Sequence, residues 1–378
     1  MIIRQKIRVL HCIETISSGG VERIRRSLAR YLDKNVYEQK IICTNDRGII
    51  PEDIKAEGVE IIPIGILKHT FHWSQYSKVL QIIHSYRPHI IHGAVFEGVS
   101  MATISGFLGR VPIIIAEETS DPKNRSANAS LLLRLLTRAA DKVIGISPSV
   151  VSYLQGTAKI NPKKIKLINN GVEIPRLVDK KELAILRKKY GILEDDIVIG
   201  SVGRIWDKVK LFSDIIKATA LLSNYSKIKI LIVGDGPDRD LVIHTAEKVG
   251  VGNHLVMTGI QLDTSPFYGL MDIFCIASDN EGFGLVAAEA MFHRLPVIAT
   301  AVGGLKDIII DRETGFLVPS HSPERIAEKL QLLIDSPELR KKMGFQGLAR
   351  AEKEYSATVY VEKVHQLYQK LLKEKGII

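Results

Sequence analysis

The stretch IFCIASDNEGFGLVAAEAM, residues 273–291, indicates the fold more strongly than any other part of the sequence. It opens with an apolar run typical of a buried strand and closes with an apolar run typical of a helix. Gly282 and Gly284, between the two runs, permit a tight turn and a close approach of a ligand to the backbone. A strand, a glycine-rich turn and a helix in this order indicate a parallel α/β sheet, in which ligands bind outside the carboxyl ends of the strands.

Two carboxylates frame this turn. Glu281 lies in the loop, and Glu289 lies eight positions later in the predicted helix. The N-terminus of a helix offers N–H donors to an anion, and acids beside a bound anion would repel it. Carboxylates in these positions therefore favour hydrogen bonds to hydroxyl groups of a ligand. A glycine-rich turn without such carboxylates would indicate only a change of chain direction.

Three further turns follow apolar strands: Ser17-Ser18-Gly19-Gly20, Val202-Gly203-Arg204 and Val233-Gly234-Asp235-Gly236-Pro237. Arg204 is followed by Lys208 and Lys210. An arginine and a nearby lysine can clamp a diphosphate, the arginine through its planar fork and the lysine as a point charge, although such a pair is more often part of a solvated surface. Because these turns occur in both halves of the chain, the sequence predicts a ligand in a cleft between two domains.

Short apolar runs alternate with helical patterns along the chain. The predicted strands are residues 7–13, 39–43, 61–64, 89–91, 112–116, 142–146, 197–202, 228–233, 254–257, 273–277 and 296–300. Predicted helices include one from about Val21, then residues 74–86, 129–140 and 180–189, and a helical tail from Pro323. This alternation predicts parallel sheets covered by helices on both faces. Because the pattern restarts after residues 166–172, we expect two doubly wound α/β domains in tandem.

Composition narrows the class of protein. The chain has 378 residues, of which 46% are hydrophobic and 25% are charged, and these proportions exclude a disordered, collagen-like or disulfide-stapled chain. No stretch approaches the roughly 18 apolar residues of a membrane-spanning helix, and the N-terminal MIIRQKIRVLHCIE lacks the apolar core of a secretory signal. We therefore expect a cytoplasmic protein in which Cys12, Cys43 and Cys275 are buried free thiols.

The formal net charge of +10 belongs to the first part of the chain. Residues 1–170 contain 24 lysines and arginines against 14 aspartates and glutamates, whereas residues 171–378 contain 28 of each. A basic half favours an anionic partner, such as nucleic acid, acidic lipid headgroups or a phosphorylated substrate, although the charge can also serve solubility alone. Because aromatic residues make up only 6% and no nucleic-acid motif is present, we expect no nucleic-acid partner.

Residues 130–138, SLLLRLLTR, combine leucines with Arg134 and Arg138. This pattern suits a peripheral contact with an anionic membrane surface. The alternative is a helix that buries its leucines in the core of its domain.

No metal or cofactor is expected. Asp238-Arg239-Asp240 has the Asp-x-Asp pattern of some metal sites, but it stands at a predicted helix start, where acids interact favourably with the helix dipole. The 11 histidines form no pair with ligand spacing. A Rossmann dehydrogenase would need Gly-x-Gly-x-x-Gly after a strand, and none of the turns completes this motif.

The order and spacing of the motifs resemble those of the retaining glycosyltransferases of family 4, also called group 1. In the second half, the glycine-rich segment quoted above joins VGRIWDKVK (202–210), LIVGDGPDRDLV (231–242) and LPVIATAVGGLKDIIIDRETGFLVP (295–319). In the first half, HCIETISSGGVERI (11–24), YRPHIIHG (86–93), ADKVIGISPSV (140–150) and INNGVEI (168–174) are similar to segments of the same family. The resemblance covers nearly the whole chain.

The resemblance implies the α/β fold called GT-B, with two Rossmann-like doubly wound domains that face each other across a cleft. Residues 1–172 would form the N-terminal acceptor-binding domain, with a last helix at residues 356–378 packed back on it. Residues 173–355 would form the C-terminal domain that binds the nucleotide-sugar donor.

The resemblance also implies roles for individual residues. Glu281 and Glu289 match the family's E-x7-E pair, in which Glu289 binds the donor ribose and Glu281 contacts the transferred sugar. Arg204 and Lys210, with Lys208 as the alternative lysine, match the basic pair that steadies the diphosphate. The implied donor site is completed by Gly20, Gly203, Gly282, Phe283, Gly284 and Leu285.

One departure from the family concerns the acceptor side. Many members have a histidine after the strand that ends near Ala116, but residues 116–122 read AEETSDP. Glu117 or Glu118 would then take the place of that histidine. The alternative is that both are solvated loop acids.

The implied reaction is a hexosyl transfer with retention, from a nucleotide diphosphate sugar, most commonly a UDP sugar, to a hydroxyl of a saccharide or lipid-linked acceptor. Arg204, Lys210 and Glu281 would be the catalytic residues, and the two cations would stabilise the charge on the leaving diphosphate without a metal. Such enzymes often assemble cell-surface polysaccharides such as capsule or lipopolysaccharide at the inner face of the membrane. The alternatives are another GT-B enzyme, such as a sugar-nucleotide epimerase, and a non-catalytic binder of an anionic ligand.

Overall fold

The computed structural model describes residues 6–17, 19–67, 70, 72–120, 125–223 and 226–378. Three parts of the sequence predictions lie outside the described residues: the start of the N-terminal segment at residues 1–5, Ser18 of the first glycine turn, and Asp121 and Pro122 of the acidic segment. The chain divides into two compact units, Met1–Glu173 with Ser356–Ile378, and Ile174–Tyr355.

The first unit is built around a parallel sheet in which seven strands of the described chain pair in the order β5-β3-β1-β6-β7-β8-β9. A separate two-stranded pair, β2 and β4, lies at the ends of β1 and β3. The elements of this part of the chain are β1 (Ile7–Cys12), β2 (Thr15–Ile16), α1 (Gly20–Tyr31), β3 (Tyr37–Cys43), β4 (Asn45–Asp46), α2 (Ile49–Ala56), β5 (Glu60–Pro63), α3 (Trp73–Tyr86), β6 (Ile90–Ala94), α4 (Val95–Leu108), β7 (Ile113–Glu118), α5 (Ala127–Leu136), β8 (Lys142–Gly145), α6 (Pro148–Gly156) and β9 (Ile165–Leu167).

The second unit has a parallel sheet of its own, in which six strands of the described chain pair in the order β12-β11-β10-β13-β14-β15. Its elements are α7 (Lys180–Tyr190), β10 (Ile197–Val202), α8 (Asp207–Lys210), α9 (Phe212–Ala220), β11 (Ile228–Val233), α10 (Arg239–Lys248), β12 (Leu255–Met257), α11 (Ser265–Tyr268), β13 (Ile273–Ile276), α12 (Leu285–Phe292), β14 (Val297–Thr300), α13 (Leu305–Ile308), β15 (Gly315–Val318), α14 (Pro323–Asp335) and α15 (Pro337–Glu354). The chain then returns to the first unit with α16 (Ala357–Glu374), which packs on α1.

These two parallel sheets with helices between their strands confirm the predicted α/β class. The apolar runs form strands because parallel strands in such sheets are covered on both faces and need an unbroken series of buried side chains. In β13, for example, all four residues are buried. Cys12, Cys43 and Cys275 are buried free thiols, as expected.

The structure differs from the sequence predictions in the last third of the chain. The helical tail is divided into three helices because Ser336 and Ser356 start new ones: their hydroxyls accept hydrogen bonds from the N–H groups of Leu339 (3.2 Å) and Val359 (3.3 Å). Strand β15 was not predicted, since it is short and begins with a glycine. A β-carbon on Gly315 would lie 2.0 Å from the carbonyl oxygen of Val297 on the neighbouring strand, so the pairing requires glycine there.

The predicted helix at residues 129–140 ends at Leu136. It buries Leu133 and Leu136, whereas Leu131 and Leu135 are 53% and 46% exposed. Helix α5 therefore packs on its domain through two leucines and presents two others to solvent, and its contact with a membrane stays a prediction. No helix formed by the described residues has the length and apolar character needed to cross a bilayer.

Candidate active site

Loops from four neighbouring strands meet at the carboxyl edge of the second sheet. They follow β10, β11, β13 and β14, and their position follows from the parallel arrangement of those strands. Backbone hydrogen bonds join these loops and the short helix α8: Ile205 N–H to the Asp235 carbonyl (3.0 Å), Asp279 N–H to the Val209 carbonyl (2.8 Å) and Gly304 N–H to the Glu281 carbonyl (2.9 Å).

The glycine-rich turn after β13 depends on close backbone packing. Gly284 has φ of 106°, a conformation that L-residues rarely adopt, and α12 begins at the next residue. A β-carbon on Gly304 would lie 2.7 Å from both the Gly282 carbonyl oxygen and the Phe283 Cα, so that loop also requires glycine. The predicted backbone contacts at residues 282–285 thus lie at the start of α12.

Lys210 and Glu281 form an ion pair at this edge. Both side chains are half-buried, with 27% and 17% of their surface exposed. Lys208, the alternative lysine, is exposed. The contact brings together two residues that the sequence analysis placed in one site, and it favours Lys210 over Lys208 as the basic member.

Leu211 has an unusual backbone conformation directly after Lys210. Leu211 has φ of 43° and is buried, and it separates α8 from α9. The left-handed conformation costs a non-glycine residue about 1–2 kcal/mol, and burial of the leucine side chain offsets such a cost. Strain of this kind often occurs at functional sites.

Arg204 lies on the loop after β10, at the same edge of the sheet. Its side chain is exposed, and its guanidinium makes no hydrogen bond or ion pair with a described residue. The structure therefore places Arg204 beside the same loops but not in contact with the Lys210–Glu281 pair. Gly203, the preceding residue, has φ of 156° and donates its N–H to the Val233 carbonyl at 3.0 Å.

Glu289 lies on α12 and is half-buried. The hydroxyl of Tyr268, on α11, donates a hydrogen bond to Glu289 Oε2 at 2.8 Å. The ring of Tyr268 is stacked on that of His293. The sequence analysis did not select Tyr268 or His293, because neither belongs to the glycine-rich turn or to the E-x7-E pair.

In the first unit, Gly20 is the first residue of α1, as expected. The carboxylate of Glu22 folds back towards this helix start: Ser17 Oγ donates to Glu22 Oε1 at 3.4 Å, and burial raises the pKa of Glu22. A β-carbon on Gly19 would lie 2.3 Å from Glu22 Oε2. An anion that contacted Gly20 would therefore meet the Glu22 carboxylate at the same helix end.

The interpretation of Glu117 and Glu118 as solvated loop acids is wrong. Both residues lie on β7, and their side chains are only 1% and 3% exposed. Glu117 Oε2 lies 2.5 Å from Arg25 Nη2 and 3.0 Å from His92 Nε2. Glu117 is thus enclosed in the interior of the first unit in this structure.

Glu118 closes the turn after β7. Its Oε1 accepts hydrogen bonds from the N–H groups of Thr119 and Ser120, both at 3.1 Å, and its Oε2 pairs with Arg125 Nη1 at 2.6 Å. Glu118 thus contacts described residues on both sides of positions 121–124. A role of either glutamate on the acceptor side stays a prediction.

Glu117 belongs to a buried polar network that connects four elements. Tyr368 on α16 contacts His92 Nδ1 at 2.7 Å, and the sequence analysis missed this network because its members are spread over α1, β6, β7 and α16. Burial by itself would raise the pKa of Glu117, but Arg25 and His92 lower it below its ordinary value. Burial, together with the charge of Arg25, lowers the pKa of His92.

Among the described residues, no group of three histidines, cysteines, aspartates or glutamates has the arrangement of a metal site. The Asp-x-Asp match lies at the start of α10, as predicted. Asp238 is the residue before this helix, and its Oδ2 accepts a hydrogen bond from Asp207 N–H at 2.7 Å. Asp240 is in the first turn, where an acid favours the helix dipole.

Comparison with known families matches both halves of the chain. Residues 18–176 match the profile described as Glycosyltransferase Family 4, and residues 184–350 match the profile described as Glycosyl transferases group 1. The N-acetyl-alpha-D-glucosaminyl L-malate synthase of Bacillus anthracis is 25% identical over 287 residues, which cover 75% of this chain and 74% of that protein. The capsular polysaccharide biosynthesis glycosyltransferase CapM of Staphylococcus aureus is 27% identical over 315 residues, which cover 79% and 80%.

Solved structures share the fold. Anabaena HepE in complex with UDP-glucose has a TM-score of 0.86 at 18% identity, and the match covers 96% of this chain and all of that one. WaaG, a glycosyltransferase involved in lipopolysaccharide biosynthesis, has a TM-score of 0.74 at 18% identity, over 96% of this chain and 99% of that one. These similarities confirm the fold that the sequence motifs implied.

The first prediction concerns the buried pair in the first unit. Glu117→Gln should lower the free energy of unfolding of this unit by about 3–5 kcal/mol, because it leaves the Arg25 charge buried without its partner. Urea unfolding can be followed through Trp73 in a Trp206→Phe background, since the chain has 2 tryptophans, one in each unit. Glu60→Gln, which removes a partly exposed pair with Lys40, should cost at most about 1 kcal/mol. Equal effects of the two substitutions on the free energy of unfolding would contradict the assignment of Glu117 as the buried partner of Arg25.

The second prediction concerns pH. Because burial lowers the pKa values of His11 and His92, both bind protons less readily in the folded unit than in the unfolded chain, which binds them below about pH 6.5. The folded state should therefore lose stability as the pH falls from 7 to 5.5, by up to about 1.4 kcal/mol per pH unit for each histidine. His92→Gln should reduce the slope by about one proton. A slope unchanged by this substitution would show that His92 is charged in the folded protein.

Proposed function

Since this chain belongs to the group 1 glycosyltransferases of family 4, enzymes of GT-B fold that use nucleotide sugars, we propose that it transfers a hexose from a UDP sugar to a hydroxyl group with retention at the anomeric carbon. UDP as the nucleotide is supported by the relative HepE, which was solved with UDP and with UDP-glucose. We assign the donor to the second unit and the acceptor to the first unit.

The Lys210–Glu281 pair is the observation that carries this proposal. It lies at the carboxyl edge of the second sheet, beside the glycine-rich turn and on the loop that leads to the helix of Glu289. A cation and two carboxylates around a helix start provide for both chemical parts of a nucleotide sugar: the cation binds the diphosphate, and the carboxylates bind hydroxyl groups.

Cleavage of the bond between the sugar and the diphosphate places additional negative charge on the leaving group. Arg204 and Lys210 stabilise this charge, because preorganised cations act most strongly where charge develops in the transition state. When the diphosphate binds, Lys210 exchanges its partner from Glu281 to a phosphate oxygen. Glu281 is then available to accept a hydrogen bond from a hydroxyl of the transferred sugar, while Glu289 binds the ribose.

A panel of nucleotide sugars examined by thermal shift tests the proposal directly. A donor at 100 times its dissociation constant stabilises the folded protein by about 2.7 kcal/mol, so the correct nucleotide and sugar should give the largest shift. A panel that includes bare UDP and produces no shift would contradict the donor site.

The third prediction distinguishes Lys210 from Lys208 as the lysine that binds the diphosphate. Arg204→Ala and Lys210→Ala should each reduce kcat by about 10²–10³, the usual cost of losing one preorganised contact to developing charge. Lys208→Ala is the matched control and should stay within about threefold of the wild type, because Lys208 is exposed and Lys210 makes the contact to Glu281. A larger loss in Lys208→Ala than in Lys210→Ala would reverse the assignment, and loss of activity on chelation would assign the charge stabilisation to a metal.

For the acceptor, we propose a lipid-linked or saccharide molecule used in cell-surface polysaccharide assembly at the cytoplasmic side of the membrane. The relatives CapM and WaaG, named for capsular polysaccharide and lipopolysaccharide biosynthesis, support this class. The excess of positive charge in residues 1–170 supports contact with an anionic surface. Helix α5 adds exposed Leu131 and Leu135 beside exposed Arg134, a combination that suits a membrane interface.

The fourth prediction tests this membrane contact. The protein should sediment with vesicles that contain anionic phosphatidylglycerol but not with neutral phosphatidylcholine vesicles, and salt should weaken the binding, because each lysine or arginine near the surface adds about 1 kcal/mol. The double variant Leu131→Gln/Leu135→Gln should bind several-fold less. Leu193→Gln/Leu221→Gln removes two exposed leucines from the second unit and should change nothing. Equal binding to both vesicle types would contradict the proposal.

A further inference from the structure

We propose that Tyr268 is a positioning residue for donor recognition, which holds the Glu289 carboxylate in the orientation that reads the ribose hydroxyls. This inference rests on the proposed function of the donor site. Tyr268 lies outside the glycine-rich turn and the E-x7-E pair, and it controls recognition of the donor ribose.

The hydroxyl of Tyr268 reaches Glu289 from inside the second unit. Tyr268 is 1% exposed, so its ring lies under the surface on which a donor binds. Its hydroxyl donates to Glu289 Oε2 at 2.8 Å and lies 3.3 Å from the carbonyl oxygen of Val286 on the same helix. A glutamate side chain has several rotatable bonds, and a buried donor on one carboxylate oxygen restricts the positions that the carboxylate can take.

His293 holds the ring of Tyr268 in place. The two rings are stacked, with centroids 4.8 Å apart and planes inclined by 21°. His293 Nδ1 lies 2.9 Å from the Glu289 carbonyl oxygen, which can only accept, so Nδ1 carries the proton and donates it. Nε2 is buried without a hydrogen-bond partner in the described chain, and burial lowers the pKa of His293, so that the ring is neutral.

Glu289 is therefore held at both ends. Its carboxylate accepts a hydrogen bond from the Tyr268 hydroxyl, and its backbone carbonyl accepts one from the His293 ring. That ring also packs on the ring of Tyr268. The ribose is remote from the bond that breaks in the transfer reaction. Loss of the Tyr268 hydroxyl should accordingly weaken donor binding and raise the donor KM, with little change in kcat.

The fifth prediction uses UDP and 2′,3′-dideoxy-UDP as probes in calorimetry with the full chain. Tyr268→Phe should weaken UDP binding about tenfold, because a hydrogen bond to a charged group is lost. Binding of the dideoxy analogue, which has no ribose hydroxyls for Glu289 to hold, should stay within about twofold of the wild type. Tyr190→Phe, which removes a tyrosine hydroxyl from a ring that packs on Phe267 in the same unit, is the matched control and should change neither affinity.

A double-variant comparison gives a second readout. In a Glu289→Ala background, Tyr268→Phe should cause no further loss of UDP affinity, since the hydroxyl acts through the carboxylate. Equal losses for both nucleotides, or no loss for UDP, would assign Tyr268 to the fold alone and overturn this inference. A wild-type protein that binds UDP and its dideoxy analogue equally would overturn it while the donor site stands. A wild-type protein that binds neither would overturn the proposed function and this inference together.

Discussion

A parallel sheet brings the carboxyl ends of all its strands to one edge, and the candidate site depends on this constraint. Loops far apart in the chain, such as those that carry Lys210 and Glu281 at a separation of 71 residues, become neighbours because their strands belong to the same sheet. The glycines at this edge allow the loops to approach within van der Waals distance, and the backbone hydrogen bonds between the loops then hold them together. Side chains from separate sequence motifs thereby lie together at the carboxyl edge of the sheet.

The Arg25–Glu117 and Lys210–Glu281 ion pairs each join a basic side chain to a glutamate, but they differ in burial. Arg25 and Glu117 are almost fully enclosed, so their charges compensate each other in a medium where neither can be hydrated. Lys210 and Glu281 keep part of their surface in contact with solvent, so a ligand can replace either partner. Loss of one partner of the first pair would therefore leave a buried charge without compensation, whereas the exposure of the second pair fits the exchange of contacts that we propose.

The N-termini of α12 and α1 also differ in the charge that surrounds them. In the second unit, α12 begins at a glycine-rich turn whose nearest acid, Glu281, is paired with Lys210. In the first unit, the start of α1 at Gly20 lies under the Glu22 carboxylate, whose pKa is raised by burial. The second unit thus offers the more favourable surroundings for a diphosphate.

The sequence by itself determined the class of fold and the position of the loops that we propose bind the donor, because apolar periodicity, glycine turns and the spacing of Glu281 and Glu289 are local properties of the chain. It preferred Lys210 with Lys208 as the alternative, and for Glu117 and Glu118 it left open a role on the acceptor side or a place as solvated loop acids. Only the tertiary structure showed the contact of Lys210 with Glu281 and the burial of Glu117, since burial and ion pairing join residues such as Arg25 and Glu117, which are 92 positions apart. Tyr268 escaped the sequence analysis for the same physical reason: its contact with Glu289 arises from the packing of two helices, and no local pattern records it.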